Sequence, residues 1–135
     1  MRYRAEQVGS LLRPPELLQA RAAFAAGHID EIELRSREDE AIRLVLGKQR
    51  DVGMDVCTDG EFRRGAWLTD MAEAVEGFIP DSMLLEWKGP GGGIEKSTAQ
   101  TVGAKLREVQ KLTGRELPFL QRHAAMPYKI TLPAP

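Results

Sequence analysis

Gly53-Met54-Asp55-Val56-Cys57-Thr58-Asp59-Gly60-Glu61 is the stretch on which the fold of this chain turns. A helix-stopping glycine is followed at once by a short run carrying apolar Met54, Val56 and Cys57. That is how a helix hands over to a buried strand. The strand then gives way to a polar turn holding two carboxylates, Asp59 and Glu61. Upstream, Tyr3 to Ser10 reads as a second short strand ending in Val8-Gly9-Ser10.

Between these two strands the pattern is helical. Pro14-Pro15 marks a helix start, because proline is tolerated in a first turn. Leu17, Leu18, Ala22 and Ala25 give that helix an apolar face and Gly27 stops it. Asp30 with Glu33, or Ser36 with Asp39, opens the next helix, whose core face is Ala41, Ile42, Val45, Leu46 and Gln49. Strand, helices, strand is α/β order. In parallel sheets and barrels the C-terminal strand ends share one side, where such folds carry their chemistry.

Downstream, Phe62 to Phe78 is helix-compatible, with Trp67, Met71, Val75 and Phe78 near helical spacing. Met83 to Lys88 and Ile94 to Val102 flank Gly89-Pro90-Gly91-Gly92-Gly93 and read as a hairpin excursion. Glu116 to Ala125 is a short helix, and Tyr128 to Leu132 a third strand leading to Pro133-Ala134-Pro135. A complete (βα)₈ barrel takes about 250 residues. The expectation is therefore the N-terminal part of a TIM barrel with a β-hairpin excursion, the whole of 1–135 belonging to one incomplete domain.

Composition narrows the function. The 135 residues carry 19 Lys and Arg against 20 Asp and Glu, a net charge of −1. Such interspersed charge does not suit nucleic acid or an anionic membrane. One cysteine excludes an internal disulfide framework. No signal peptide or membrane span is visible, so the expected location is cytoplasmic. Cys57 reads as a buried thiol, His28 as a helix-end residue and His123 as a surface one. Phe62 and Trp67 read as core. Ser10 also fits a turn, and Glu61 a helix N-terminus, whatever the protein does.

Together, Gln7-Val8-Gly9-Ser10-Leu11-Leu12-Arg13-Pro14 and Gly53 through Arg64 with Trp67 resemble the cobalamin-independent methionine synthase family, in its shorter single-barrel branch. Lys129-Ile130-Thr131-Leu132-Pro133-Ala134-Pro135 resembles that family's third-strand segment. The resemblance implies a barrel methyltransferase that moves a methyl group from 5-methyltetrahydrofolate to the zinc-bound thiol of homocysteine. It implies that Gly9 and Ser10 hold the amino acid's carboxylate end and that Glu61 takes its ammonium group. Asp59, Arg63 and Arg64 are further candidates, the two arginines reading more readily as solvated or ion-paired than as substrate contacts.

The family's zinc ligands, a His-x-Cys pair and a later Cys, lie on later strands. His28, His123 and Cys57 show no ligand spacing. The chain is thus expected to supply a homocysteine half-site without the metal, to be inactive alone, and to self-associate through uncovered strand edges. Two alternatives stay open: a non-catalytic α/β module binding a small molecule or a partner, and a relative of the barrel uroporphyrinogen decarboxylases.

Overall fold

Proline fixes where the first helix begins. Pro14 is the extended N-cap and Pro15 the first residue of α1, Pro15–Ala25. After a turn, the Asp30 side chain accepts from the N–H of Glu33 at 2.8 Å and caps α2, Glu31–Asp51. Asp30 is therefore the cap, and Ser36 and Asp39 lie inside the helix. Val52 caps the helix, and Gly53 after it has a φ of +80° that lets the Met54 N–H return to the Gln49 carbonyl at 3.0 Å. Only glycine takes that left-handed turn without steric cost.

The structure, a computed structural model, describes residues 5–65, 71, 74–88 and 92–132. Trp67 and the closing Pro133-Ala134-Pro135 lie outside them. The chain divides into two units, one of residues 1–65 with 113–135 and one of 66–112.

The first unit is α/β. Its third helix, α3, is Glu116–His123. Three extended segments lie side by side through parallel bridges, Glu6 with Val56 and Cys57 with Tyr128, so the Val56 segment is central. The Asp55 N–H reaches the Ala5 carbonyl at 2.8 Å, the Cys57 N–H the Pro127 carbonyl at 2.9 Å, and the Lys129 N–H the Cys57 carbonyl at 3.0 Å. These bridges are shorter than the strands expected at Tyr3–Ser10 and Tyr128–Leu132. Leu17 of α1, Ile42 and Leu46 of α2, Cys57, Phe62 and Leu120 of α3 form the core, all buried. The expected burial of Cys57 and Phe62, and of the α2 face, is what is found.

The second unit is an antiparallel hairpin of β1, Val75–Lys88, and β2, Ile94–Glu108. The excursion expected from the sequence is present, but its arms are longer. Val75 and Phe78 stand in β1, not in a helix. Gly77, at φ +104°, lies so close to β2 that a Cβ would sit 2.8 Å from the Lys105 carbonyl. With Pro80 following, a continued helix is costly, whereas register shifts at Glu76/Phe78 and Pro80/Leu84 absorb both residues in the sheet. Glu76 pairs across the ladder with Arg107. Among the described residues no helix is long and apolar enough to cross a membrane.

Candidate functional site

The three extended segments of the first unit deliver their loops to one place. Thr58, at the end of the central segment, donates its hydroxyl to the Gly9 carbonyl at 2.8 Å and accepts from the Gly60 N–H at 2.9 Å. The Leu11 N–H meets the Gly60 carbonyl at 3.0 Å. Thr58 is itself held by Gln49 of α2. The amide Nε2 donates to the Thr58 carbonyl at 2.8 Å, and Oε1 accepts from the Thr58 N–H at 3.0 Å. A buried side-chain amide thus satisfies both main-chain groups of one residue, as a neighbouring strand would.

Past Thr58 the backbone turns sharply. Glu61 has φ +58°, the one left-handed non-glycine residue among those described. For a residue with a Cβ this costs about 1–2 kcal/mol, and such strain persists where surrounding structure holds it. Here the hold is visible. The Glu61 N–H donates to Asp59 Oδ1 at 3.0 Å, and the Glu61 carbonyl accepts from Arg13 Nη2 at 3.0 Å and from the Arg64 N–H at 3.1 Å. Arg13 also donates to the Arg64 carbonyl at 2.7 Å.

The Glu61 carboxylate meets the third segment. Thr131 Oγ1 donates to Glu61 Oε1 at 2.5 Å, and Arg64 Nη1 lies 3.6 Å from the same oxygen. Arg64, its side chain only 3% exposed, donates from Nη2 to the Thr131 carbonyl at 2.6 Å. Gly9 lies against this carboxylate, and a Cβ there would sit 2.6 Å from Glu61 Oε1. Glu61 Oε2 has no hydrogen-bond partner among the described residues, and neither has the hydroxyl of exposed Ser10.

Gly9, Glu61 and Arg64, with Asp59, are therefore brought together, and Ser10 follows directly on Gly9. Asp59 is buried, and that burial pushes its carboxyl above the ordinary range, opposed by the Glu61 N–H and by Arg64 and Arg63. Arg63 turns elsewhere. It donates to Asp39 of α2 at 2.6 and 3.0 Å, and its guanidinium lies 4.6 Å from the centre of the Phe119 ring of α3. It braces two helices, which is the ion-paired role the sequence allows.

Arg13 and Thr131 support the site with no spacing that assigns them to it, and Gln49, placed by helical spacing on the core face of α2, supports it through Thr58. The available signal was positional: Thr131 closes the third extended segment, as Ser10 and Glu61 follow the first two. Among the described residues no three His, Cys, Asp or Glu side chains gather as a metal site would require. Cys57 is fully buried, and burial raises its thiol above the usual value, which disfavours the thiolate a metal binds. These residues do not fit a zinc centre.

Residues 4–88 match the family described as cobalamin-independent synthase, catalytic domain. The chain is 36% identical to the YxjH protein of Bacillus subtilis (strain 168), over 98% of this chain and 35% of that protein. It is 39% identical to the 5-methyltetrahydropteroyltriglutamate–homocysteine methyltransferase of Streptomyces griseus, over 53% of this chain and 9% of the relative. Its fold is similar to that of a B12-independent methionine synthase from Shewanella sp. W3-18-1 in complex with selenomethionine. The TM-score there is 0.69 at 22% identity, covering 96% of this chain and 37% of the other. The chain spans about a third of the length of the Bacillus relatives that match nearly all of it.

Proposed function

Because this chain belongs to the cobalamin-independent methionine synthase family, we propose that it forms the first part of a TIM-barrel methyltransferase of methionine biosynthesis and holds the amino-acid end of homocysteine. The single observation that carries this reading is Glu61. It is a carboxylate kept in a strained backbone conformation, with one oxygen tied to Thr131 and the other without a partner among the described residues.

A carboxylate so placed suits an ammonium group, through a charge-assisted hydrogen bond. Beside it, Gly9 allows close approach and the exposed Ser10 hydroxyl offers a donor to the carboxylate of the same zwitterion. Asp59, Arg64 and Arg13 set the loop that carries Glu61. These are holding roles. Methyl transfer from a methylated folate is proposed for the whole enzyme, and no step is routed through zinc, because the described residues do not assemble a site for it.

The test is calorimetric titration of the chain with reduced L-homocysteine, for the wild type and Glu61→Gln. Removing a hydrogen bond to a charged group costs about 1.5–3 kcal/mol, so the variant is expected to bind roughly 10- to 150-fold more weakly. Equal affinity in the two proteins, or no binding by the wild type, overturns the reading.

A further inference from the structure

We propose that Thr131 is a positioning residue, which aims the Glu61 carboxylate and so makes the site select ligands bearing a free ammonium group; this rests on the amino-acid reading above.

The polarity of the contact is fixed by chemistry. Arg64 Nη1 lies 3.4 Å from Thr131 Oγ1, and a guanidinium has only donors. Thr131 Oγ1 therefore accepts from Arg64, and its own proton goes to Glu61 Oε1 at 2.5 Å, since an ionised carboxylate only accepts. The relay Arg64 to Thr131 to Glu61 occupies Oε1. The Glu61 main chain has no freedom to compensate. Its carbonyl is held by Arg13 and by the Arg64 N–H, its N–H by Asp59.

Space is restricted as well. A Cβ on Gly9 would sit 2.6 Å from Thr131 Cγ2 and 2.8 Å from Thr131 Oγ1, so the threonine and the glycine backbone pack directly on the carboxylate. Among the described residues Oε2 has no hydrogen-bond partner, and it is the oxygen proposed to meet a ligand. Without the hydroxyl, the carboxylate is released toward Arg64, already 3.6 Å from Oε1, and an ammonium group then competes with an internal guanidinium.

The experiment compares L-methionine, which has the same amino-acid end and does not oxidise to a disulfide, with 4-(methylthio)butanoate, the same molecule without its amino group. Wild type, Thr131→Val, Thr131→Ser and Glu61→Gln are titrated with both, and their melting temperatures are recorded. Thr131→Val is expected to weaken L-methionine about tenfold, as for loss of one charge-assisted bond. It is expected to leave the deaminated ligand nearly unchanged, while Thr131→Ser retains the wild-type preference.

If Thr131→Val weakens both ligands equally, or neither, while Glu61→Gln still abolishes the preference, Thr131 does not position the carboxylate and the amino-acid reading survives. If the wild type shows no preference between the two ligands, the amino-acid reading fails and the positioning role goes with it.

Discussion

Gly9 and Glu61 are in such close approach that the glycine cannot carry a side chain: a Cβ on Gly9 would stand 2.6 Å from Glu61 Oε1. The residues are far apart in sequence, and the constraint arises only because the loops after the first and second extended segments converge. A Gly9→Ala chain must move either the carboxylate or Thr131, and overpacking of this kind costs about 1–3 kcal/mol. The expected outcome is a lower urea midpoint together with at least a roughly tenfold loss in L-homocysteine affinity, the equivalent of one charge-assisted bond. Retention of wild-type affinity would show that Glu61 does not need its observed position to bind.

Gln49 and Thr58 give a prediction about stability alone. The amide holds both main-chain groups of Thr58 in a buried setting, so Gln49→Leu leaves an N–H and a C=O without partners. Each such group costs about 1–3 kcal/mol. Chemical denaturation is expected to show a loss of at least about 2 kcal/mol, more than a helix-surface change produces. A loss under half a kilocalorie would mean that water replaces the amide.

The helices of the first unit could be read from the sequence because their signals are local. Pro15, the Asp30 cap and Gly53 act within a turn of where they stand, and the α2 core face repeats at helical spacing. The approach of the Gly9 segment to Glu61 was also readable, through strand order and family resemblance. What was not readable depends on partners distant in sequence. Val75 and Phe78 look helical until β2 pairs with them, and Arg13 and Thr131 carry no spacing signal that ties them to Glu61. Strain at Glu61 is likewise invisible in a sequence, since glutamate is an ordinary residue after Gly60.

Asp59 predicts an acid-range pH dependence of definite sign. Burial raises its folded pKa above the ordinary 3.8, opposed only in part by the Glu61 N–H, Arg64 and Arg63. Between 3.8 and the raised value the folded state binds more protons than the unfolded one. Stability from this group is therefore present below the unfolded pKa and is lost as pH rises through the folded pKa. Glu38, raised above 4.5 chiefly by burial, adds a slope of the same sign. Asp59→Asn keeps an oxygen for the Glu61 N–H but cannot ionise. Urea unfolding at a series of pH values is expected to show the variant gaining on the wild type as pH rises from about 4, then levelling off. A variant that loses ground to the wild type as pH rises would reverse the sign and refute the burial argument.

Glu61 itself separates stability from function. At φ +58° any residue with a Cβ is strained, and glycine is not. Glu61→Ala removes the carboxylate, with its bonds to Thr131 and Arg64, but retains the strain. Glu61→Gly removes the same groups and relieves it. The two variants lose the same carboxylate interactions and differ by the Cβ, so their difference reports the backbone strain, offset in part by the greater freedom of glycine in the unfolded chain. Glu61→Gly is expected to be more stable than Glu61→Ala by about 1 kcal/mol, measured by urea denaturation, while both lose homocysteine binding to the same extent. Were alanine equal to or better than glycine, the left-handed conformation would not be the state the chain occupies. With glycine the more stable and neither variant binding, the strain at Glu61 is accounted for by the ligand that its carboxylate serves.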